Sequence, residues 1–393
     1  MNPVFASLGT SIFAHMSGLA AEHGAVNLGQ GFPDFGWPDD VLARAADAVL
    51  RGSNQYAPMR GLPELRAAVA AHYRRHQGLE YSADQVTVTS GATEAIATAL
   101  LSLISAGDEV VLFQPLYDAY LPMVRAAGGV PRLVRLAPPG WRITEEALAA
   151  AFSERTRLVV FNNPHNPSSR LFDEEELRLL AGFCVRHDAI AVADEVWEHL
   201  VFDGRRFVPL AAMPGMAERT VKIGSAGKIF SVTGWKVGWS VAPPPLVAAL
   251  AGAHQFLTFS TAPSLQAAVA YGLGKEPAYF EGMRAGFARA RDAFVRDLDR
   301  SGFATLPAEG SYFVSLDLAA SGIAADDVAF CERAVRECGV AGIPVSAFYE
   351  GDDPVTSVVR LCFAKREETL AAGLDGLCKA RKLFAASRGS PAP

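Results

Sequence analysis

Between Val86 and Val241, short β-branched and apolar runs alternate with helical stretches. No other feature narrows the fold as much. Val86–Thr89, EVVLFQ, PRLVRL, Leu158–Phe161, Ala189–Ala193, the run from Val221 and GWSVAP read as strands. Tyr120–Gly128, Thr144–Phe152 and Glu174–His187 carry helical spacing between them. Strands joined by helices imply a mostly parallel sheet with helices on both faces. Such sheets bind ligands beyond the carboxyl ends of their strands. Gly91, Asn166, Asp194 and Lys228 all fall just after predicted strands. Four strand ends with chemically useful residues are stronger evidence than any one of them.

The run from Val221 to Trp239, VKIGSAGKIFSVTGWKVGW, is the most specific stretch. Its small residues let another group approach the backbone beside Lys228. A lysine attacks carbonyls only as the neutral amine, so burial or a cationic neighbour makes it useful. One lysine for an imine and a second cation for a phosphate are what a pyridoxal phosphate site requires. Upstream, VTVTSGATEAIATALLSLI reads as a strand, a turn at Ser90 and Gly91, and a long helix starting near Thr93. A helix start after a glycine turn offers free N–H groups to an anion. Taken alone, this would be an ordinary strand-to-helix turn.

The flanks organise around this unit. Residues 1–40 read as an N-terminal arm with a helix around Ser11–His23, an extended VNLGQG and the loop GQGFPDFGWP. Residues 41–285 form the large domain. They include an Asp39–Leu50 helix at the boundary, a loop with Tyr56 and a helix opened by Pro63. One long helix from Pro263 to about Ser301 links it to a smaller α+β domain, residues 286–393, which the arm completes. There YFVSLDL, GIPVSAF and VVRLCFA read as strands, with helices at DDVAFCERAVREC and Glu367–Ala386. The tail SRGSPAP is expected to be disordered.

Composition excludes several classes. A net charge of −6 without a Lys/Arg block argues against nucleic-acid binding. Five cysteines without a CxxC favour neither a disulfide framework nor a zinc site, and no metal is expected. No apolar run reaches the roughly 20 residues that span a bilayer. The N-terminus lacks a signal-peptide pattern. A soluble cytoplasmic protein is the resulting expectation.

The lysine stretch resembles the SxGKxFxxTGWxxGW signature of the class I/II, fold-type I, pyridoxal phosphate-dependent aminotransferases. The resemblance extends from VNLGQGFPDF to VVRLCFAKREETL, and the kynurenine/methionine branch is the most similar. It implies that Lys228 holds the cofactor as an imine and moves the substrate proton. Asp194 would pair with the pyridine nitrogen, Asn166 with the 3′-oxygen, and Tyr117 would stack on the ring. Gly91, Ala92, Thr93, Ser225 and Lys236 would hold the phosphate. Tyr56 would reach the phosphate of a neighbouring subunit, which implies a homodimer with shared active sites. Arg360 would clamp the substrate α-carboxylate, as its planar fork permits, with Gly31 contributing a backbone contact. An arginine in so apolar a strand needs an anionic partner.

Two positions depart from the pattern. Trp197 stands where the family has tyrosine, and an indole has one donor and no acceptor. It is expected to fill the slot and donate from its ring nitrogen. Ser169, in NPSSR, replaces a usual glycine, and a different turn geometry is expected there. Phe13 from the arm and Phe259 from the partner subunit lie where the kynurenine branch has pocket aromatics, while Ser260 replaces a frequent histidine. An apolar, sulfur-containing or aromatic amino donor follows, with a 2-oxo acid acceptor and a ping-pong course. The other enzyme readings are a cysteine-S-conjugate β-lyase and a succinyldiaminopimelate aminotransferase. A non-enzymatic binding protein fits poorly with Lys228, Asp194, Asn166 and Arg360 all present.

Overall fold

The computed structural model describes residues 1–386; the tail SRGSPAP lies outside them. Seven strands form the central sheet: β1 Val86–Ser90, β2 Glu109–Gln114, β3 Val130–Arg135, β4 Thr156–Asn162, β5 Ile190–Asp194, β6 Thr220–Ser225 and β7 Val237–Val241. Their order is β1-β7-β6-β5-β4-β2-β3. Only β7 runs antiparallel to its neighbours, so the sheet is mostly parallel and the fold is α/β. Strands β2, β5, β6 and β7 are buried along their whole length. That explains why they read as continuous apolar runs rather than as alternating ones. The edge strand β3 alone keeps mostly exposed or half-buried positions.

Register brings the functional strand ends side by side. Asn162 pairs with Asp194, and Asp194 with Ile223, two residues before Ser225. The helix after β1 spans Gly91–Leu103 and begins at Gly91 itself, two residues earlier than expected. Gly91 has φ +71, which lets the chain turn from strand into helix without an intervening loop.

A smaller α+β part holds a second, antiparallel sheet of four strands: β8 Ala304–Thr305, β9 Phe313–Asp317, β10 Ile343–Pro344 and β11 Val358–Cys362, ordered β10-β11-β9-β8. The N-terminal segment Val26–Asn27 pairs in parallel with Val340–Ala341.

Two sequence expectations fail locally. The stretch from Pro263 is two helices, Pro263–Leu273 and Pro277–Arg300, because Pro277 lacks an N–H and starts a helix instead of continuing one. GIPVSAF is a strand only at Ile343–Pro344. Val345–Phe348 is a 3-10 turn, and the Ser346 N–H and hydroxyl each donate to the Asp327 carboxylate at 2.7 Å. A helix at Pro244–Leu257, opened by Pro244, was not anticipated. Among the described residues, no helix is long and apolar enough to cross a membrane.

Candidate active site

A cavity of about 210 Å³ opens beyond the carboxyl ends of β1, β4, β5 and β6. Lys228 enters it from the short turn of helix Ala226–Ile229 that follows β6. Its Nζ donates to the Tyr312 hydroxyl at 3.0 Å and to the Gly31 carbonyl at 3.4 Å. It also stands 4.6 Å from the centre of the Trp197 ring. Burial pushes the Lys228 amine down to about 8, and Arg360 and Lys236 act in the same direction. Cys362 and Asp194 oppose them. A lysine near 8 has an appreciable neutral fraction at physiological pH, the form that attacks a carbonyl.

Asp194 closes the other side. One carboxylate oxygen, Oδ2, accepts from the Tyr120 hydroxyl at 2.6 Å. The other, Oδ1, is buried and has no hydrogen-bond partner. Burial raises this carboxyl above its usual range, and the Tyr120 hydrogen bond holds it down. A buried acceptor without a donor is costly unless a ligand completes it. A protonated ring nitrogen is such a donor, and so the site fits pyridoxal phosphate. Asn162 fixes the neighbouring strand end: its amide donates to the Asp194 carbonyl at 2.8 Å, and its oxygen accepts the Asn166 N–H at 2.7 Å. That bond orients the loop carrying Asn166.

The anion end lies across the cavity. Gly91, Ala92, Thr93, Ser225 and Lys236 line it together. A Cβ at Gly91 would stand only 3.2 Å from the Lys236 Nζ, so the glycine leaves room for the ammonium over the helix start. Gly238 serves the same end from β7. A Cβ there would approach the Gly91 carbonyl carbon to 2.6 Å and the Ala92 nitrogen to 2.7 Å. Fixed N–H groups, a helix start and a lysine are together suited to an anion such as a phosphate.

Arg360 lies in the middle of β11 and is 1% exposed. It donates to Asn166 Oδ1 at 2.7 Å and to the Gly29 carbonyl at 2.8 Å, and its Nε has no partner. It lies 4.0 Å from the Phe313 ring centre and 5.1 Å from that of Phe13. The anionic partner expected from the sequence is not supplied by the chain: among the described residues no carboxylate forms an ion pair with Arg360. Burial accordingly pushes the guanidinium down to about 10.

The remaining predicted residues divide by location. Tyr117 lines the cavity, and burial raises its phenol to about 12. Trp197 lines it too, edge-on to Tyr312 with ring centres 4.4 Å apart. Gly31 contributes its carbonyl, which accepts from Tyr312 at 2.5 Å. Phe13 packs against Phe348 at 5.6 Å, beside Arg360. Tyr56 and Phe259 are not in the cavity. They meet each other at 5.6 Å on the surface, and Tyr56 is 85% exposed. Ser169 corrects an expectation. Its φ is +60, the left-handed region that glycine enters freely, so the serine takes up a glycine's backbone rather than a new turn. Its hydroxyl donates to the Phe313 carbonyl at 2.9 Å, beside Tyr312.

Sequence reasoning missed Tyr120, Tyr312 and Asn162, and placed Gly29 only in a loop whose backbone can approach a ligand. Asn162 alone had a usable signal, since it ends a predicted strand like the residues that were found.

A lysine of lowered basicity, a buried carboxylate with a free acceptor and a phosphate cradle at the strand ends define a pyridoxal phosphate enzyme of fold type I. The family model of aminotransferase class I and II matches residues 24–377, and the chain belongs to that family. It is similar to the methionine aminotransferase of Escherichia coli (strain K12), 42% identical over 94% of this chain and 96% of the relative. It is similar also to the kynurenine--oxoglutarate transaminase of Dictyostelium discoideum, 35% identical over 96% and 95% of the two chains. The solved N-succinyldiaminopimelate aminotransferase from Mycobacterium tuberculosis superposes with a TM-score of 0.93 at 42% identity, covering 96% of this chain and 99% of that one. The protein is thus an aminotransferase that uses pyridoxal phosphate.

Proposed function

We propose that this aminotransferase takes its amino group from an apolar, sulfur-containing or aromatic amino acid and passes it to a 2-oxo acid. The observation that carries the reading is Arg360: a fully buried guanidinium with no carboxylate of its own, flanked by Phe13, Phe313 and Phe348. A substrate α-carboxylate satisfies the charge, and the aromatic surround suits an apolar side chain. The similarity to methionine and kynurenine aminotransferases supports the same choice.

In this reading Lys228 holds the cofactor and moves the substrate α-proton. Asp194 keeps the ring nitrogen protonated, Asn166 and Trp197 face the 3′-oxygen, and Tyr117 covers the ring. Gly91, Ala92, Thr93, Ser225 and Lys236 hold the phosphate. Pyridoxal phosphate, when bound, supplies the sink for the electron pair left on the α-carbon. Tyr312 and the Gly31 carbonyl fix the Lys228 amine, so that one group can take and return a proton without searching. Trp197 donates its indole N–H, a role that Trp197→Phe tests; an unchanged absorbance titration of the bound cofactor would remove it. The arm, residues 1–40, closes the substrate side of the large domain, 41–285, with the small domain, 286–393. Two chains form a homodimer, with Tyr56 and Phe259 serving the partner's site.

A panel of amino donors against several 2-oxo acids, followed through the half-reaction spectrum, tests the substrate class. Methionine, phenylalanine or kynurenine should convert the cofactor faster than aspartate or glutamate. Faster conversion by dicarboxylic donors would contradict the proposal. The similarity to N-succinyldiaminopimelate aminotransferase supports a second reading. Preference for the succinylated diamino acid in the same panel would favour it.

A further inference from the structure

Outside the lining of the cofactor cavity, three residues with metal-binding side chains converge and His76 stands beside them. His72 and His76 are four residues apart on the helix Pro63–Gln77 and share one face of it. Glu198 and His199 lie in the turn that follows β5. His72, Glu198 and His199 are all buried, and their ligand atoms lie within 4.8 Å of one another. The His72 and His199 Nε2 atoms are 2.7 Å apart. The His76 ring is centred 4.4 Å from His72 and 5.2 Å from His199, and its Nε2 has no partner. The cysteine pattern carries no hint of this cluster.

We propose that His72, His76, Glu198 and His199 form a site for one zinc-type divalent ion. Four observations converge. The His72 Nδ1 faces the Leu273 carbonyl at 3.4 Å, so this nitrogen carries the proton and Nε2 keeps its lone pair. Two histidines four residues apart on a helix are a recurrent zinc-binding arrangement. Glu198 Oε2 is occupied by Gln77 at 2.5 Å and Lys222 at 3.0 Å, but Oε1 is buried and unpartnered. Lys222 is paired with two buried carboxylates, Glu195 and Glu198, so the cluster holds more carboxylate oxygens than this one lysine engages.

The cations nearby, Lys222 with Arg75 and Arg284, oppose an incoming ion, and the second carboxylate beside Lys222 offsets them in part. Two nitrogens on one tetrahedral zinc stand about 3.3 Å apart. Binding thus asks His72 and His199 to separate by roughly half an ångström, and the proton now shared by their Nε2 atoms to shift to the His199 Nδ1. Half-buried His76 gives the ion a way in from the surface. Bound there, the ion ties the helix to the turn that follows Asp194 and carries Trp197.

The test uses holoenzyme purified without a histidine tag and dialysed against a chelator. Cobalt(II) is titrated in as a visible probe. One equivalent per chain with a tetrahedral ligand-field band is expected. His76→Gln should weaken binding at least about tenfold, and His72→Gln with His199→Gln should abolish the band. Retention of the cofactor absorbance shows that the variants fold. Absence of stoichiometric binding, or a band that the double variant retains, overturns the proposal. Where the double variant does not fold, anomalous scattering from cobalt-soaked wild-type crystals decides. A peak between His72 and His199 supports the site, and a peak only elsewhere overturns it.

Discussion

Burial of Lys228 has a direct chemical consequence. Its amine is pushed down to about 8 from 10.5, and lysines lose protons as pH rises. Cofactor-free protein should therefore capture pyridoxal phosphate faster as pH rises, with the rise centred near 8. Stopped-flow absorbance of the capture reaction would show this; a rise centred near 10.5 would mean that the amine is not buried in the active protein. The Tyr120 hydroxyl sets a second titration. It donates to Asp194 and lowers that carboxyl against the effect of burial. Tyr120→Phe removes the donor, so Asp194 takes a proton at higher pH. The acid limb of kcat/KM should move up by about one unit, in keeping with one hydrogen bond to a charged group. An unmoved limb would show that Asp194 does not set it.

The strand ends are where sequence and structure agree, and the reason is local. A residue just past an apolar run, with glycine or proline beside it, leaves a signal within a few positions. Gly91, Asn166 and Lys228 have it, while Asp194 has the apolar run alone. Tyr312 does not, because its value comes from a hydroxyl that reaches Gly31, 281 residues away in sequence. Gly29 acts through its carbonyl, 331 residues from Arg360, and no side-chain pattern records it. Tyr120 sits in a helix whose periodicity says only that one face is buried. Element boundaries failed for similar reasons: Ser346 leaves the strand pattern because Asp327, on another element, captures its N–H.

Packing of β7 on the helix start gives a test at the same scale. Gly238→Ala would place a methyl 2.6 Å from Gly91. Neither backbone can move without shifting the phosphate cradle. A loss of about 1–3 kcal/mol of stability is expected, together with weaker cofactor retention. Chemical denaturation and cofactor release on dilution would measure the two effects. A variant that keeps both would mean that the cradle does not depend on this close approach.

At the scale of the whole molecule, the two halves meet around the substrate end. Arg360 from the smaller sheet bonds Asn166 from the loop after β4 and Gly29 from the N-terminal segment. Arg170 ties the same loop to Glu309, ahead of Tyr312, at 2.9 Å. A substrate that engages Arg360 is therefore felt by all three parts. The surface around Tyr56 and Phe259 also exposes Phe256, at 86%, and Leu257. Apolar groups exposed together mark an association surface. Light scattering should give twice the mass of one chain, and Phe256→Glu should shift it toward the monomer with loss of activity. A fully active wild-type monomer would contradict the homodimer.

The claim on which the rest depends is that Lys228 carries the cofactor while Lys236 holds its phosphate. Reduction of the holoenzyme with borohydride, followed by peptide mass spectrometry, tests it most directly. The cofactor should be fixed to Lys228, one per chain, with Lys236 and the buried Lys222 unmodified. A label on either of those lysines, or none on Lys228, would contradict it.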